Sequence, residues 1–167
     1  MARREIALDD DFVRERLGAL LPAARAFAVA SLNPVDEAFH TARVTHDELS
    51  SWDFFVTIGG VSVAVSCLSD RVSARRFAEL LPRLREQLDA WDPQASAALE
   101  DCRAFITRSL QGKLSQGDPG HPTITDALGM WILWNLYGRC PSYEESAPAR
   151  TIGGMLEQAF AGWWDSG

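Results

Sequence analysis

Cysteine is scarce in this sequence, and its three occurrences, Cys67, Cys102 and Cys140, lie far apart. An odd number of widely spaced cysteines without a CxxC pair excludes a disulfide framework and the usual zinc sites. We therefore expect the thiols to be structural or incidental, in a reducing cytoplasm. The histidines do not supply a metal site either: His40 and His46 lie six positions apart, so on a helix they point to different faces. The sequence predicts no bound metal and no cofactor.

Targeting and membrane-spanning segments are also lacking. The opening residues, MARREIALDDDF, contain no apolar core of the kind found in signal peptides. The apolar stretch from Ala127 to Tyr137 includes Asn135 and is far too short to span a bilayer. These absences predict a cytoplasmic protein that does not enter a membrane.

Lysine is almost missing, since Lys113 is the only lysine among 16 basic residues. This bias is typical of a GC-rich bacterial genome. The net charge is −7, and the acidic excess lies towards both ends of the sequence. Such a field repels nucleic acid and favours a basic partner. The alternative is that the acidic surface only keeps the protein soluble.

What the chain has in abundance is apolar side chain: 47% of its 167 residues are hydrophobic. This is enough to build one globular domain over residues 1–167. Residues 113–122, KLSQGDPGHP, combine glycine, proline and polar groups without any periodicity. They are predicted to form a surface loop.

The clearest local pattern is an alternation of apolar residues on both sides of Gly59-Gly60. A Gly-Gly pair permits the positive φ angles of a tight turn, so we predict an antiparallel β-hairpin at residues 52–67 that pairs Ile58 with Val61. The apolar face of that hairpin comprises Trp52, Phe54, Val56, Ile58, Val61, Val63, Val65 and Cys67.

Elsewhere the apolar spacing is helical, which predicts an α-rich α+β fold of five or six helices around the hairpin. Pro22 and Pro82 are expected to interrupt two of these helices. Ser69 or Asp70 is expected to cap the helix that follows the hairpin. The helix that carries residues 128–136 is apolar on more than one face and is predicted to be central. Residues 34–49 fit either a helix or a strand.

Aromatic residues are numerous, with six tryptophans and eight phenylalanines. Neither Trp131 with Trp134 nor Trp163 with Trp164 can be equally buried on one helix face, and exposed tryptophan is enriched at binding hot spots. We therefore expect a non-enzymatic interaction protein with an acidic binding surface, such as a toxin-neutralising immunity protein or an effector adaptor. A homo-oligomer is compatible with this expectation. The predicted partner-binding residues are Asp9, Asp10, Asp11, Trp134, Glu144, Glu145 and Trp164.

The alternative is a small enzyme whose site is assembled near the loop at residues 113–122, around His121. Residues distant in sequence meet in such sites, so spacing alone does not detect them. Cys140 and His121 make a poor nucleophile and base, because a straight helix between them would separate them by about 25 Å. The sequence predicts no catalytic residue.

Overall fold

The structure is a computed structural model that describes residues 10–31, 46–114, 124–138 and 146–165. Within these ranges the backbone forms six α-helices and no strand, which confirms a helical protein but not a mixed one. The helices are α1 (Asp10–Ala30), α2 (His46–Arg71), α3 (Ala74–Trp91), α4 (Ala95–Leu114), α5 (Ile124–Tyr137) and α6 (Ser146–Phe160).

The predicted α+β fold is wrong, because residues 52–67 form the middle of α2 instead of a β-hairpin. The ten consecutive residues 56–65 are all buried, and α2 contacts each of the other five helices. A helix surrounded in this way is apolar on every side and loses the one-sided stripe of a surface helix. In this segment the small residues Ser62 and Ala64 alternate with valines. The alternation is one of side-chain size, and it resembles the period of two that is typical of a strand.

Gly59 and Gly60 serve helix packing in this fold and not a turn. A Cβ atom on Gly59 would lie 2.9 Å from Leu156 Cδ1, and one on Gly60 would lie 2.8 Å from Phe160 Cε2. The pair therefore lets side chains of α6 approach the surface of α2. Among the described residues a positive φ occurs only at Gly138, which follows the end of α5.

Neither proline interrupts its helix: α1 continues through Pro22 and α3 continues through Pro82. In α3 the buried stripe of Leu80, Leu84 and Leu88 runs past the proline, so burial outweighs the lost backbone hydrogen bond. The predicted cap at Ser69 or Asp70 is also wrong, since both residues lie inside α2. The N-cap of α3 is Ser73, whose hydroxyl accepts a hydrogen bond from the Arg76 amide at 3.2 Å.

Helices α5 and α6 pack with their backbones almost in contact. A Cβ atom on Gly129 would lie 1.7 Å from the Ala149 carbonyl oxygen, and one on Gly153 would lie 1.9 Å from that of Thr125. Thr125 is hydrogen-bonded to Glu157 across the same contact. Glycine is therefore required at positions 129 and 153, and α6 fixes the position of α5.

Residues 161–165 follow α6 and join it to α1 and α2. The Arg16 guanidinium donates to the Trp163 carbonyl oxygen, 2.8 Å from Nε, and lies 3.8 Å from the centre of the Trp163 ring. The Trp163 indole in turn donates to the Arg16 carbonyl oxygen at 3.0 Å. Trp164 is buried and donates to the Ala64 carbonyl oxygen of α2 at 2.8 Å. This segment closes the core over α2.

In the described part of the chain, Ser51–Arg71 is the one helix with the length and hydropathy of a membrane span. Of the most apolar 18 residues of this helix, 67% are buried inside the protein, as is typical of a core helix. It is α2, and not the predicted helix at residues 128–136, that occupies the centre. That second helix is α5, which has one exposed side.

Candidate functional site

An open groove lies between α4 and α5. Its larger part has a volume of about 480 Å³. The lining residues of α4 lie four, seven and eight positions after the first of them, and those of α5 lie three and four positions after the first, so each set shares one helix face. They are Asp101, Phe105, Arg108 and Ser109 from α4, and Trp131, Trp134 and Asn135 from α5.

A smaller cleft of about 320 Å³ continues the groove towards α2. The two clefts share Asp101, Trp131 and Asn135, which shows that they adjoin. We refer to them together as the α4–α5 groove. The additional lining residues of the smaller cleft are Phe54, Phe55, Gln94, Ala97 and Ala98.

The floor of the groove is fixed by Trp131, which is only 2% exposed. Its indole Nε1 donates to Asp101 Oδ2 at 2.9 Å. Asn135 Nδ2 donates to the Trp131 carbonyl oxygen at 2.8 Å, and Phe55 meets the Trp131 ring edge-on with centroids 5.6 Å apart. The floor is therefore held by α2, α4 and α5 together.

The rim of the groove carries Trp134, whose surface is 43% exposed. Its ring meets Phe105 in a T-shaped contact with centroids 6.0 Å apart. Aromatic pairs of this geometry contribute beyond their buried area, so Phe105 holds the indole in place. The two rings form an apolar patch between polar residues.

Opposite charges lie at separate positions along the groove. Asp101 and Arg108 are seven residues apart on α4, which is about 10 Å along a helix. Among the described residues neither side chain is in an ion pair, although Arg108 Nε donates to the Ala104 carbonyl oxygen at 3.4 Å. Both charges are therefore available to a ligand.

The two described cysteines are poor nucleophiles. Burial raises the pKa of Cys102, on the inner face of α4, to about 12. Burial, followed by the nearby Asp70 carboxylate, also raises the pKa of Cys67. Since the thiolate is the reactive form, both thiols stay protonated at neutral pH. Cys140 lies outside the described residues.

Of the predicted partner-binding residues that the structure describes, only Trp134 lines the groove. Trp164 is 1% exposed and belongs to the core, so it is left out of the binding surface proposed below. Asp11 is exposed on α1, and Asp10 is the first residue of that helix. Asp9, Glu144 and Glu145 lie outside the described residues.

The groove residues Phe105, Asp101 and Arg108 were missed by sequence reasoning. The sequence of α4 alone does not mark them, because the groove face is defined by the way α5 lies beside α4.

The enzyme alternative falls mostly on residues that the structure does not describe. Lys113 and Leu114 end α4, which corrects the start of the predicted loop, and residues 115–122, with His121, lie outside the described ranges. His46 is the first residue of α2, and His40 is also outside. Within those ranges no three histidine, cysteine or acidic residues come together as a metal-binding group.

No family model, curated protein or solved structure matches this chain. Function is therefore inferred from the groove and from the charge of the chain.

Proposed function

We propose that the chain is a non-enzymatic protein-interaction module that holds its partner in the α4–α5 groove, with Trp134 as the central anchor. The observation that carries this proposal is the exposure of Trp134, which is 43% exposed. Its ring contacts Phe105 and lies beside the groove floor, where Trp131 is hydrogen-bonded to Asp101. Tryptophan is among the residues most enriched at binding hot spots, where a large ring enters a pocket of the partner.

The other tryptophans show how unusual Trp134 is in this chain. Four of them donate their indole N–H to protein oxygens: Trp52 to Ala28, Trp131 to Asp101, Trp163 to Arg16 and Trp164 to Ala64. The fifth, Trp91, stacks on Phe54 and lies beneath the Arg25 guanidinium. Trp134 has neither arrangement among the described residues. Its exposure is not needed for the fold and is consistent with a role in binding.

The net charge of −7 supports a basic partner. Carboxylates at the edge of an interface accelerate the encounter with an oppositely charged protein. We propose this steering role for the acidic residues of the sequence prediction, Asp9, Asp10, Asp11, Glu144 and Glu145. We propose a toxin-neutralising immunity protein or an effector adaptor of bacterial origin as the functional class.

The proposal is tested with the full chain, Trp134→Ala and a matched control, Val29→Ala. Val29 is a 62% exposed apolar residue of α1, and it does not line the groove. Proteins retained from a lysate of the native cell are identified by mass spectrometry, purified, and titrated against each variant by calorimetry.

We expect a partner whose affinity falls for Trp134→Ala by roughly 2 kcal/mol or more and is unchanged for Val29→Ala. Urea denaturation of both variants verifies that each remains folded. If every retained protein binds Trp134→Ala as tightly as the natural chain, the proposed surface is wrong.

A further inference from the structure

We propose that the α4–α5 groove recognises a segment of its partner with a fixed order of side chains: a basic residue, a large apolar residue and an acidic residue. The basic residue occupies the smaller cleft at Asp101, the apolar residue packs on Trp134 and Phe105, and the acidic residue pairs with Arg108. This inference rests on the proposed function and adds the chemistry of the partner to it.

The smaller cleft has the composition of a cation site. Its lining includes the aromatic rings of Phe54 and Phe55 and the Asp101 carboxylate, but no basic residue. One carboxylate oxygen of Asp101 accepts from Trp131, and no donor among the described residues is bonded to the other. A guanidinium or ammonium group gains from a carboxylate and from an aromatic face together.

The same chain pairs cations with aromatic rings in three other places. The Arg16 guanidinium lies 3.8 Å from the centre of the Trp163 ring, and Arg25 lies 5.3 Å from that of Trp91. Arg103 lies 5.4 Å from the centre of the Phe77 ring. In those places the chain supplies its own arginine, whereas in the smaller cleft a partner would supply it.

The larger cleft carries both charges, at opposite ends of its α4 side. Asp101 lines it at the end that it shares with the smaller cleft, and Arg108 and Ser109 line it about two helical turns further along α4. Arginine binds a carboxylate through two parallel hydrogen bonds. The order of charges along the groove therefore fixes the direction in which a partner segment lies.

The test uses random linear peptides displayed on phage and selected on the full chain. About 10 Å separates the two charges along α4, so the selected charges should lie three residues apart in an extended peptide or seven apart in a helical one. Enriched sequences are expected to place arginine or lysine on one side of a large apolar residue and aspartate or glutamate on the other.

Synthetic versions of the enriched peptides are then titrated against two charge variants. Asp101→Asn should weaken binding roughly tenfold, and Arg108→Gln should do the same. Each loss should disappear when the matching charge of the peptide is replaced by alanine. The controls are Glu100→Gln and Arg103→Gln, which remove charges of α4 that do not line the groove. Glu100 is paired with Arg85, and Arg103 lies over the Phe77 ring. Neither control should change the affinity.

The outcomes separate this inference from the proposed function. Peptides that require Trp134 but are insensitive to Asp101 and Arg108 would disprove the charge order and leave the binding groove intact. Peptides retained equally by Trp134→Ala would disprove both. A library without enrichment would disprove the recognition of a short segment. Self-association of the natural chain in sedimentation, lost in Trp134→Ala, would identify a second copy as the occupant instead.

Discussion

Helix α5 packs in opposite ways on its two sides. Towards α6, Gly129 and Gly153 allow the helix backbones to meet. Towards α4, the large rings of Trp131 and Trp134 line a groove of about 480 Å³. Small residues thus allow a close helix contact on one side of α5, and large residues border an open groove on the other.

The largest expected effect is at Trp131, which belongs to the floor of the groove. Trp131→Ala should lower the free energy of unfolding by about 3–5 kcal/mol, because it leaves a cavity in the core. Trp131→Phe keeps most of the packing but leaves Asp101 without its donor, and should cost about 1–2 kcal/mol. Urea denaturation followed by circular dichroism measures both. Equal losses for the two variants would show that the hydrogen bond, and not the ring volume, holds the floor.

The next effect concerns the close side of α5. In Gly129→Ala the added carbon meets the backbone of Ala149, so α5 and α6 must separate, at a cost of about 1–3 kcal/mol or more. Gly154→Ala is the matched control, because its Cβ would lie 3.8 Å from Thr125 Cγ2, an ordinary contact. That variant should gain about 0.5–1 kcal/mol from helix propensity. Thermal and urea unfolding measure both, and equal stability of the two variants would contradict the close packing described here.

A smaller effect on stability is expected at the rim of the groove. Trp134→Ala should lower the free energy of unfolding by about 1–2 kcal/mol, since 43% of the residue's surface is already in water. Trp164→Ala, which removes a buried ring of the same kind, should cost about 3–5 kcal/mol. Comparing the two unfolding curves separates a binding tryptophan from a core one. A loss at Trp134 as large as that at Trp164 would assign both rings to the core.

The smallest expected effect is that of the acidic residues proposed to steer association. Replacement of Asp9, Asp10, Asp11, Glu144 and Glu145 by their amides should slow association with a basic partner at low salt. At 0.1 M salt, charges more than about 10 Å apart are largely screened, so the difference should disappear as salt is added. Stopped-flow association rates at several salt concentrations test this. An unchanged rate at low salt would remove steering from the proposal.

Much of the helical part of this fold follows from the sequence, and the failure lies in one segment. The helical spacing of apolar residues outside the hairpin predicts helices, and α3 with its buried stripe of Leu80, Leu84 and Leu88 is one of them. The pair Trp131–Trp134 predicts that the two rings are not equally buried, and this is confirmed. The hairpin prediction for residues 52–67 is wrong because a helix that is buried on every side is apolar on every side, so its hydrophobic residues show no helical period. Gly59-Gly60 also suggested a turn incorrectly, because glycine occurs where helices pack closely as well as in turns.

The groove itself was only partly predictable. Trp134 was found because a neighbouring tryptophan competes for the same helix face. A groove exists at Asp101, Phe105 and Arg108 only because α5 lies beside α4. The residues of the two helices that meet there are about 20–30 positions apart in the sequence, as in the hydrogen bond between Trp131 and Asp101. Periodicity within one helix contains no information about which face the next helix covers.

The bonds of residues 163 and 164 bear on how the chain reaches its folded state. The contact between Trp164 and Ala64 closes a loop of 100 residues, and that between Trp163 and Arg16 closes one of 147. Such distant contacts are slow to form because much chain entropy is lost before they contribute. During synthesis on the ribosome, α1 is made before α2 and can pack on it at once. The part of α2 that residues 163 and 164 cover stays uncovered until the last residues after α6 have been made.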